Sequence, residues 1–416
     1  MIIASVIAEY NPFHNGHRYL LEKARQLTGA DFLIVIMSGS FVQRGAPACL
    51  GREVRTRMAL AGGADLVIGL PCYASVSSAA FFAGAAVSIL DQLGCVDYLC
   101  FGCEDPQADL LQKTASLLLD EPDSYQQILK KDLSLGMNFP SARADAVKRL
   151  AGTDCARILE DPNNILAVEY IKALLSLNSS IRPLPIKRTG SSYHDEEAGC
   201  GYPSAAAVRR LIMQGKTGKI KHLLPTESFR LLFSTNDAAE ADRDMLPDPA
   251  FLESDDFTDM LCLRLIENMD DLEEFCGVSP AFADRIRSMQ PKMTSLSDLA
   301  QQLAARNFTG TGINRALFHI LLNHRKNILS AWREDQYSGY IPLLGIRKNA
   351  SAVLGSICPS AKVDLVIRTR DTDKIRGTAR QIMKSDQLAE EIYRQIWQGK
   401  YGRATLPVLS RPFIRI

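Results

Sequence analysis

No stretch of the 416 residues is long and apolar enough to read as a membrane span. The opening run from Met1 to Ala8 falls far short of the ~20 residues a bilayer requires, and it lacks the basic flank and small-residue cleavage site of a secretory leader. The longest later run, Ala74 to Leu93, is interrupted by serines and fits a small-residue core helix. Charge of one sign is lacking too. A net charge of +1 neither demands nor excludes a nucleic-acid partner, which needs only a local basic face. Ten cysteines follow no regular spacing, which argues against a disulfide scaffold and for reduced thiols in a cytoplasmic protein. Internal repeats and low-complexity tracts are missing, and no carboxylate cluster announces a protein-bound metal ion.

What remains is ordinary globular material, 46% hydrophobic and 23% charged, in a chain longer than one core usually serves. Up to about residue 105, short apolar runs alternate with helical segments. Ile2–Ala8 precedes a helix to Leu27, Phe32–Met37 precedes Arg52–Ala61, Leu66–Leu70 precedes Ser75–Leu93, and Tyr98–Phe101 closes the series. That alternation predicts a parallel sheet covered by helices, with ligands in the crevice beyond the carboxyl ends of the strands. The loops after Ala8, Met37 and Phe101 then surround one site. A polar helical stretch (Gln107–Leu150) follows. Next come a helix from Asp161-Pro162 to about Leu177, with the Asp161 carboxylate capping free amides, a strand near Leu184–Arg188 and a helix over Ser204–Met213. The acidic stretch Ser234–Pro249 reads as an exposed linker. Amphipathic helices follow, for example Phe257–Asn268 and Ile313–Asn327, then a less regular tail. The expected organisation is an α/β, Rossmann-like catalytic domain over residues 1–225 and a mostly helical domain over 226–416.

The sharpest feature is Glu9-Tyr10-Asn11-Pro12-Phe13-His14-Asn15-Gly16-His17, directly after the first strand and opening the first helix. Two imidazoles three residues apart point the same way, toward the free amides and positive dipole end that favour phosphate. Gly16 lets the backbone approach a ligand. The pattern resembles the H-x-G-H signature of the adenylyltransferase superfamily, in which the histidines stabilise charge on the α-phosphate as pyrophosphate is displaced. A second segment, Pro203-Ser204-Ala-Ala-Ala-Val-Arg209-Arg210, resembles the superfamily's phosphate-binding stretch. Ser204 reads as an N-cap whose hydroxyl and neighbouring amides face phosphates, and Arg209 adds charge.

Three further segments fit one site. Met37-Ser-Gly-Ser40-Phe-Val-Gln-Arg44-Gly45 reads either as a lining of the acceptor or phosphate side or as a glycine-rich turn. Phe101-Gly102-Cys-Glu104 ends a strand, where Gly102 leaves room for adenine or ribose. Lys187 and Arg188 follow another strand and suit nucleotide phosphates. His194 lies near the ligand or bonds Asp195. Cys100 and Cys103 are half a zinc site, a redox pair or strand-end packing, and packing is preferred because no second ligand pair is near.

Together these segments resemble one family, the bacterial tRNA(Met) cytidine acetate ligases. The likeness runs along Ala8–His17, Met37–Gly45, Gly63–Pro71, Phe101–Glu104, Pro162–Leu166, Ile186–Arg188 and Ser204–Arg209. It departs at Gly69, where a Glu is typical, at Ala206 in place of Thr, and at Gly51-Arg52. The resemblance implies ATP binding by the loop Ile7, Ala8, Glu9, Tyr10, Asn11, Pro12, Phe13, His14, Asn15, Gly16, His17, Arg18, Tyr19 and Leu20, by Gly102, by Asn163 and Asn164, and by Lys187 and Arg188. His14, His17, Lys187 and Arg188 would be catalytic, and Ser204 and Arg209 would hold the departing pyrophosphate. It further implies acetyl-adenylate formation from acetate and acetylation of the wobble cytidine of elongator tRNA(Met). Mg2+ would arrive with the triphosphate. An adenylyltransferase for a small phosphorylated acceptor is the alternative. Lys216–His222 and Arg306–Arg315 offer cations suited to RNA, or a solvated basic face.

Overall fold

Five runs pair side by side in parallel; four are apolar and mostly buried, as inner parallel strands require, and the last, at the sheet edge, is half-exposed. They are β1 (Ile3–Ala8), β2 (Phe32–Ser38), β5 (Leu66–Leu70), β6 (Tyr98–Cys103) and β7 (Arg182–Lys187); a small hairpin, β3 (Phe41–Val42) with β4 (Ala46–Pro47), follows β2. The structure is a computed structural model that describes residues 1–188, 202–233, 251–305 and 308–416. The expected linker Ser234–Pro249, His194 with Asp195, and Arg306 lie outside the described residues.

The register sets the site. Ala8 pairs with Met37, Ser38 with Leu70, and Gly102 with Ile186, so these strands end on one carboxyl edge. Alternate side chains enter different cores. Ile3 and Ile7 face a cluster built with the helices Ala79–Leu93 and Pro162–Ser176, while Ala4 and Val6 face the helices α1 (Asn15–Thr28) and α2 (Arg52–Ala61). The same alternation answers the cysteine question: Cys103 joins the first core and Cys100 the second. An odd spacing along a strand turns the two thiols to opposite faces, and burial pushes each up to about 12. They pack and do not form a pair.

The last quarter of the chain corrects the sequence reading. Its tail holds a 25-residue helix, Gly377–Tyr401, and β8 (Tyr340–Ile346), β9 (Asp364–Val366) and β10 (Ile414–Arg415) extend the same sheet. The order is β10-β8-β5-β2-β1-β6-β7, with β9 beside β8, and β8 runs antiparallel to β5. The region after residue 226 is thus mostly helical yet supplies three strands to the N-terminal sheet. Leu343 and Leu344 do not alternate with polar residues, which hid β8. The expected helix Ile313–Asn327 is two, Gly310–Leu321 and Lys326–Glu334, parted where Asn323 turns to φ 57°. The polar stretch after Gln107 is three helices, Ala108–Asp120, Asp123–Ser134 and Phe139–Ala151. Asp161 makes no capping bond to the backbone; its Oδ2 accepts from the Asn164 side chain at 3.4 Å. Among the described residues no helix is long and apolar enough to cross a membrane.

Ile341 on β8 is fully buried. Ile341→Ala is expected to lower stability by about 2–5 kcal/mol in a single urea transition reported alike by probes in the N-terminal and C-terminal regions. Two separable transitions, only the later-sequence one shifted, would show that the shared sheet does not fold as one unit.

Candidate active site

The first helix is capped by a histidine. His14, buried and in extended backbone, accepts from the Gly16 amide through Nδ1 at 3.1 Å, while its own amide donates to Nδ1 of His17 at 3.2 Å. The rings stack with centroids 3.7 Å apart. Both rings are held neutral. Burial, aided by Arg188 and Arg209, lowers His14 to about 3, and burial with His14 and Arg188 holds His17 well below its ordinary value. A neutral imidazole that accepts at Nδ1 carries its proton on Nε2. The two caps therefore assign both rings as Nε2–H donors. A Cβ at Gly16 would be crowded, lying 3.0 Å from the His14 ring and 3.2 Å from Tyr202 Cβ.

His14, Gly16, His17, Tyr19 and Leu20 form one wall of a cleft, and Gly102, Ile186, Lys187, Arg188, Tyr202 and Pro203 form the other. The strands explain the meeting: β1, β6 and β7 are neighbours and end together. Gly102 lines the cleft beside Arg188. The Arg188 stem lies against it, 3.2 Å from where a Cβ would stand, and Arg188 Nε sits 3.7 Å from Glu104 Oε1. Tyr202, whose ring lies 5.3 Å from that of Tyr19, is a wall residue that its sequence context did not single out.

Other expected contacts stand behind the cleft. Asn164 is buried and accepts from the amides of Glu104 and Asp105 at 3.0 and 3.2 Å, and Asn163 donates to Glu104 Oε1 at 2.5 Å. The asparagine pair shapes the turn after β6, leaving Glu104 Oε2 buried with no protein partner. Ile7, Tyr10, Asn11, Pro12 and Phe13 are buried beneath the loop. Half-buried Ala8 ends β1, and Glu9 accepts from the Gln43 amide at 2.8 Å. Asn15 donates to the Leu223 and His222 carbonyls. Arg18 is exposed and pairs with Glu22 at 2.7 Å. Ser204 caps its helix by accepting from the Ala207 amide at 3.2 Å, and Arg209 donates to the Asn11 carbonyl at 2.6 Å, tying that helix to the histidine loop.

Sequence reasoning missed Arg55. Fully buried on α2, it donates to the carbonyls of Leu50 (2.9 Å), Glu9 (2.7 Å), Ser38 (3.0 Å) and Gly39. A partial signal existed: Arg55 shares one helical face with Met58 and Ala59, and a cation beside apolar residues on the face that packs inward marks a buried hydrogen-bonding post.

A Rossmann-like sheet with stacked helix-capping histidines beyond its first strand defines a nucleotidyl transferase, and residues 1–405 match the family described as HIGH Nucleotidyl Transferase. The tRNA(Met) cytidine acetate ligase of Acetivibrio thermocellus is 35% identical over 379 residues, 89% of each chain. That of Caldicellulosiruptor saccharolyticus is 37% identical over 366 residues, 87% of this chain and 86% of the relative. The crystal structure of Thermotoga maritima TmcAL superposes over the whole of both chains with a TM-score of 0.91 at 29% identity, and its form bound with alpha-thio ATP with 0.89. The chain belongs to the tRNA(Met) cytidine acetate ligase family of the HIGH nucleotidyl transferases.

Two outcomes follow. Arg55→Met strands four carbonyls, of which those of the buried Leu50 and Ser38 cost about 1–3 kcal/mol each, so urea denaturation should register a loss of at least about 2 kcal/mol. His14 binds its proton more weakly folded than unfolded, so stability rises with pH between about 3 and its unfolded value. Acidification from pH 7 to 5 should remove roughly 2 kcal/mol that His14→Asn, which retains a capping side chain, does not lose. Equal pH slopes in the two proteins would refute the neutral-histidine assignment.

Proposed function

We propose that the protein is an ATP-dependent acetate ligase that forms acetyl-adenylate and passes the acetyl group to the wobble cytidine of elongator tRNA(Met) in the cytoplasm. The observation that carries this reading is the pair of neutral Nε2–H donors at a helix N-terminus, supported by the names of the relatives. Acetate oxygen attacks the α-phosphorus, the bond to the β-phosphate bridging oxygen breaks, and pyrophosphate leaves with the electron pair. His14 and His17 donate to the α-phosphate oxygens as charge builds there, already oriented by their caps. Neutrality fits this role, because a donor that cannot lose its proton to the substrate stabilises charge without proton transfer.

Lys187 and Arg188 neutralise the phosphates from the facing wall. The unpartnered Glu104 Oε2 suits a ribose hydroxyl. Ser204 and the free amides of its helix meet the departing pyrophosphate, while Arg209 acts as a strut through Asn11. Magnesium would travel with the triphosphate, whose oxygens it favours, and no step above depends on it. Exposed Lys216, Lys219, Lys221 and His222 stand beside the cleft through the Asn15–His222 bond and suit the RNA backbone. Arg315, half-buried, with burial lowering its ordinary value, suits it less.

ATP–pyrophosphate exchange should depend on acetate and fall at least about 100-fold in His17→Ala, the scale of losing one such donor. Exchange indifferent to acetate, with tRNA present as well as absent, would refute acetyl-adenylate formation.

A further inference from the structure

A second cavity opens on the same carboxyl edge, beyond β2 and β5. It measures about 420 Å³, within the range of small-molecule sites, and no step proposed above uses it. Its walls come from distant parts of the chain: Gly39 after β2, Arg52 at the start of α2, Tyr340 of β8, Asp386 and Glu390 of the helix Gly377–Tyr401, and Arg411 of the tail. Glu390 is satisfied, accepting from the Ser40 amide and hydroxyl at 2.7 Å each. Asp386 accepts one bond at each oxygen, from the Cys72 amide at 2.6 Å and from the Tyr340 hydroxyl, and each oxygen keeps a further lone pair. Arg411 pairs with Glu53 at 2.6 Å and Arg52 lies 3.8 Å from Glu390; a guanidinium has five N–H groups, so donors remain on both. Pro342, Leu344 and Phe413 supply apolar surface.

The mouth of the cavity carries a second, independent feature. Arg368 and Phe413 also line an adjoining hollow with Arg370 and Arg415, and the Arg415 guanidinium lies 5.9 Å from the Phe413 ring centroid. From Arg368 to Lys384 the chain holds six cations against two acids, and Arg368, Arg370, Lys374, Arg376 and Lys384 are exposed. Cations around an aromatic ring suit phosphates with an unstacked base.

We infer that this cavity receives the acceptor base, a pyrimidine swung out of an RNA strand whose phosphates rest on the Arg368–Lys384 rim, with Asp386 accepting a proton from the exocyclic amine. The assignment rests on the acetyl-transfer reading. An aminopyrimidine presents one donor and two acceptors on its edge; Asp386 matches the donor, and Arg52 and Arg411 match the acceptors. The loop that carries the histidines and the loop that walls the cavity are held together by the buried Arg55, whose guanidinium bonds both the Glu9 carbonyl and the Gly39 carbonyl. The amine nitrogen attacks the acetyl carbonyl carbon and forms the C–N bond. The bond from that carbon to the phosphate oxygen breaks, AMP leaves with the electron pair, and the amine proton passes to Asp386. Burial raises the Asp386 carboxyl to about 7, against the Tyr340 hydroxyl, the Cys72 amide and Arg52 and with Glu390, which suits a base at neutral pH.

The test compares wild type, Asp386→Asn and Gln387→Trp, the last filling the cavity from its rim, in two assays: acetate-dependent ATP–pyrophosphate exchange, and acetyl transfer to an unmodified tRNA(Met) transcript. Exchange should stay within about twofold in both variants. Transfer should fall at least 100-fold in each, for Asp386→Asn through kcat with the KM for tRNA unchanged, and the wild-type transfer rate should drop below about pH 7 while exchange does not. Transfer within threefold of wild type in either folded variant overturns the cavity assignment and leaves acetyl-adenylate formation standing. Loss of acetate dependence in the wild type itself overturns the parent reading, and this one with it.

Discussion

The site depends on one buried guanidinium. Loops that leave a parallel sheet expose carbonyls which the sheet no longer satisfies, and burying them unpaired is costly. Arg55 resolves this for both loops that matter, bonding Glu9 after β1, Ser38 at the end of β2 and Gly39 after it. Desolvation disfavours its charge, while Glu390 is the first of the groups that restore it. A lysine has neither the planar fork nor enough fixed donors to serve four carbonyls from one point.

With the loop pinned from below, the histidines act as structure and chemistry at once. Each imidazole uses Nδ1 within the helix start, so Nε2–H is the only donor left to offer. The fold thereby selects the tautomer, and burial keeps both rings neutral even though they stack within 3.7 Å. Two protonated rings at that distance would repel strongly in a low-dielectric setting; two neutral ones stack without cost and leave the cationic work to Arg188 and Lys187 across the cleft.

The N-terminal half was legible because its signals are local. Strand–helix alternation gave β1, β2, β5 and β6, and the histidines announced themselves by following β1 directly. What failed was long-range. Asn163 and Asn164 are singled out as ATP contacts only by the family resemblance; in the structure Asn164 accepts from the Glu104 and Asp105 amides and Asn163 donates to the Glu104 side chain, contacts that β6 and the helix Pro162–Ser176 set by packing together. Arg209 reads as a phosphate contact until the Asn11 carbonyl is seen to receive it. Strand β8 lacks alternation because it is inserted between β5 and β10, and nothing in its seven residues says which edge it will join. Nothing local marks Asp386 and Glu390, since their partners Cys72 and Ser40 are more than 300 positions away.

Those distant pairings explain why the C-terminal region cannot be a mere appendage. The acids of the helix Gly377–Tyr401 accept the amides of Ser40 and Cys72, just beyond β2 and β5, while Phe41 of the hairpin enters the helical core beside Phe257, Phe318 and Tyr393. Contacts thus cross in both directions at the carboxyl edge, where ligands of such sheets bind. A sheet alone would leave the ends of β2 and β5 open to water. Closing them with side chains from the far end of the chain yields a walled cavity, and Arg55 ties the loop after β1 to the loop after β2, so a change in either loop is felt by both.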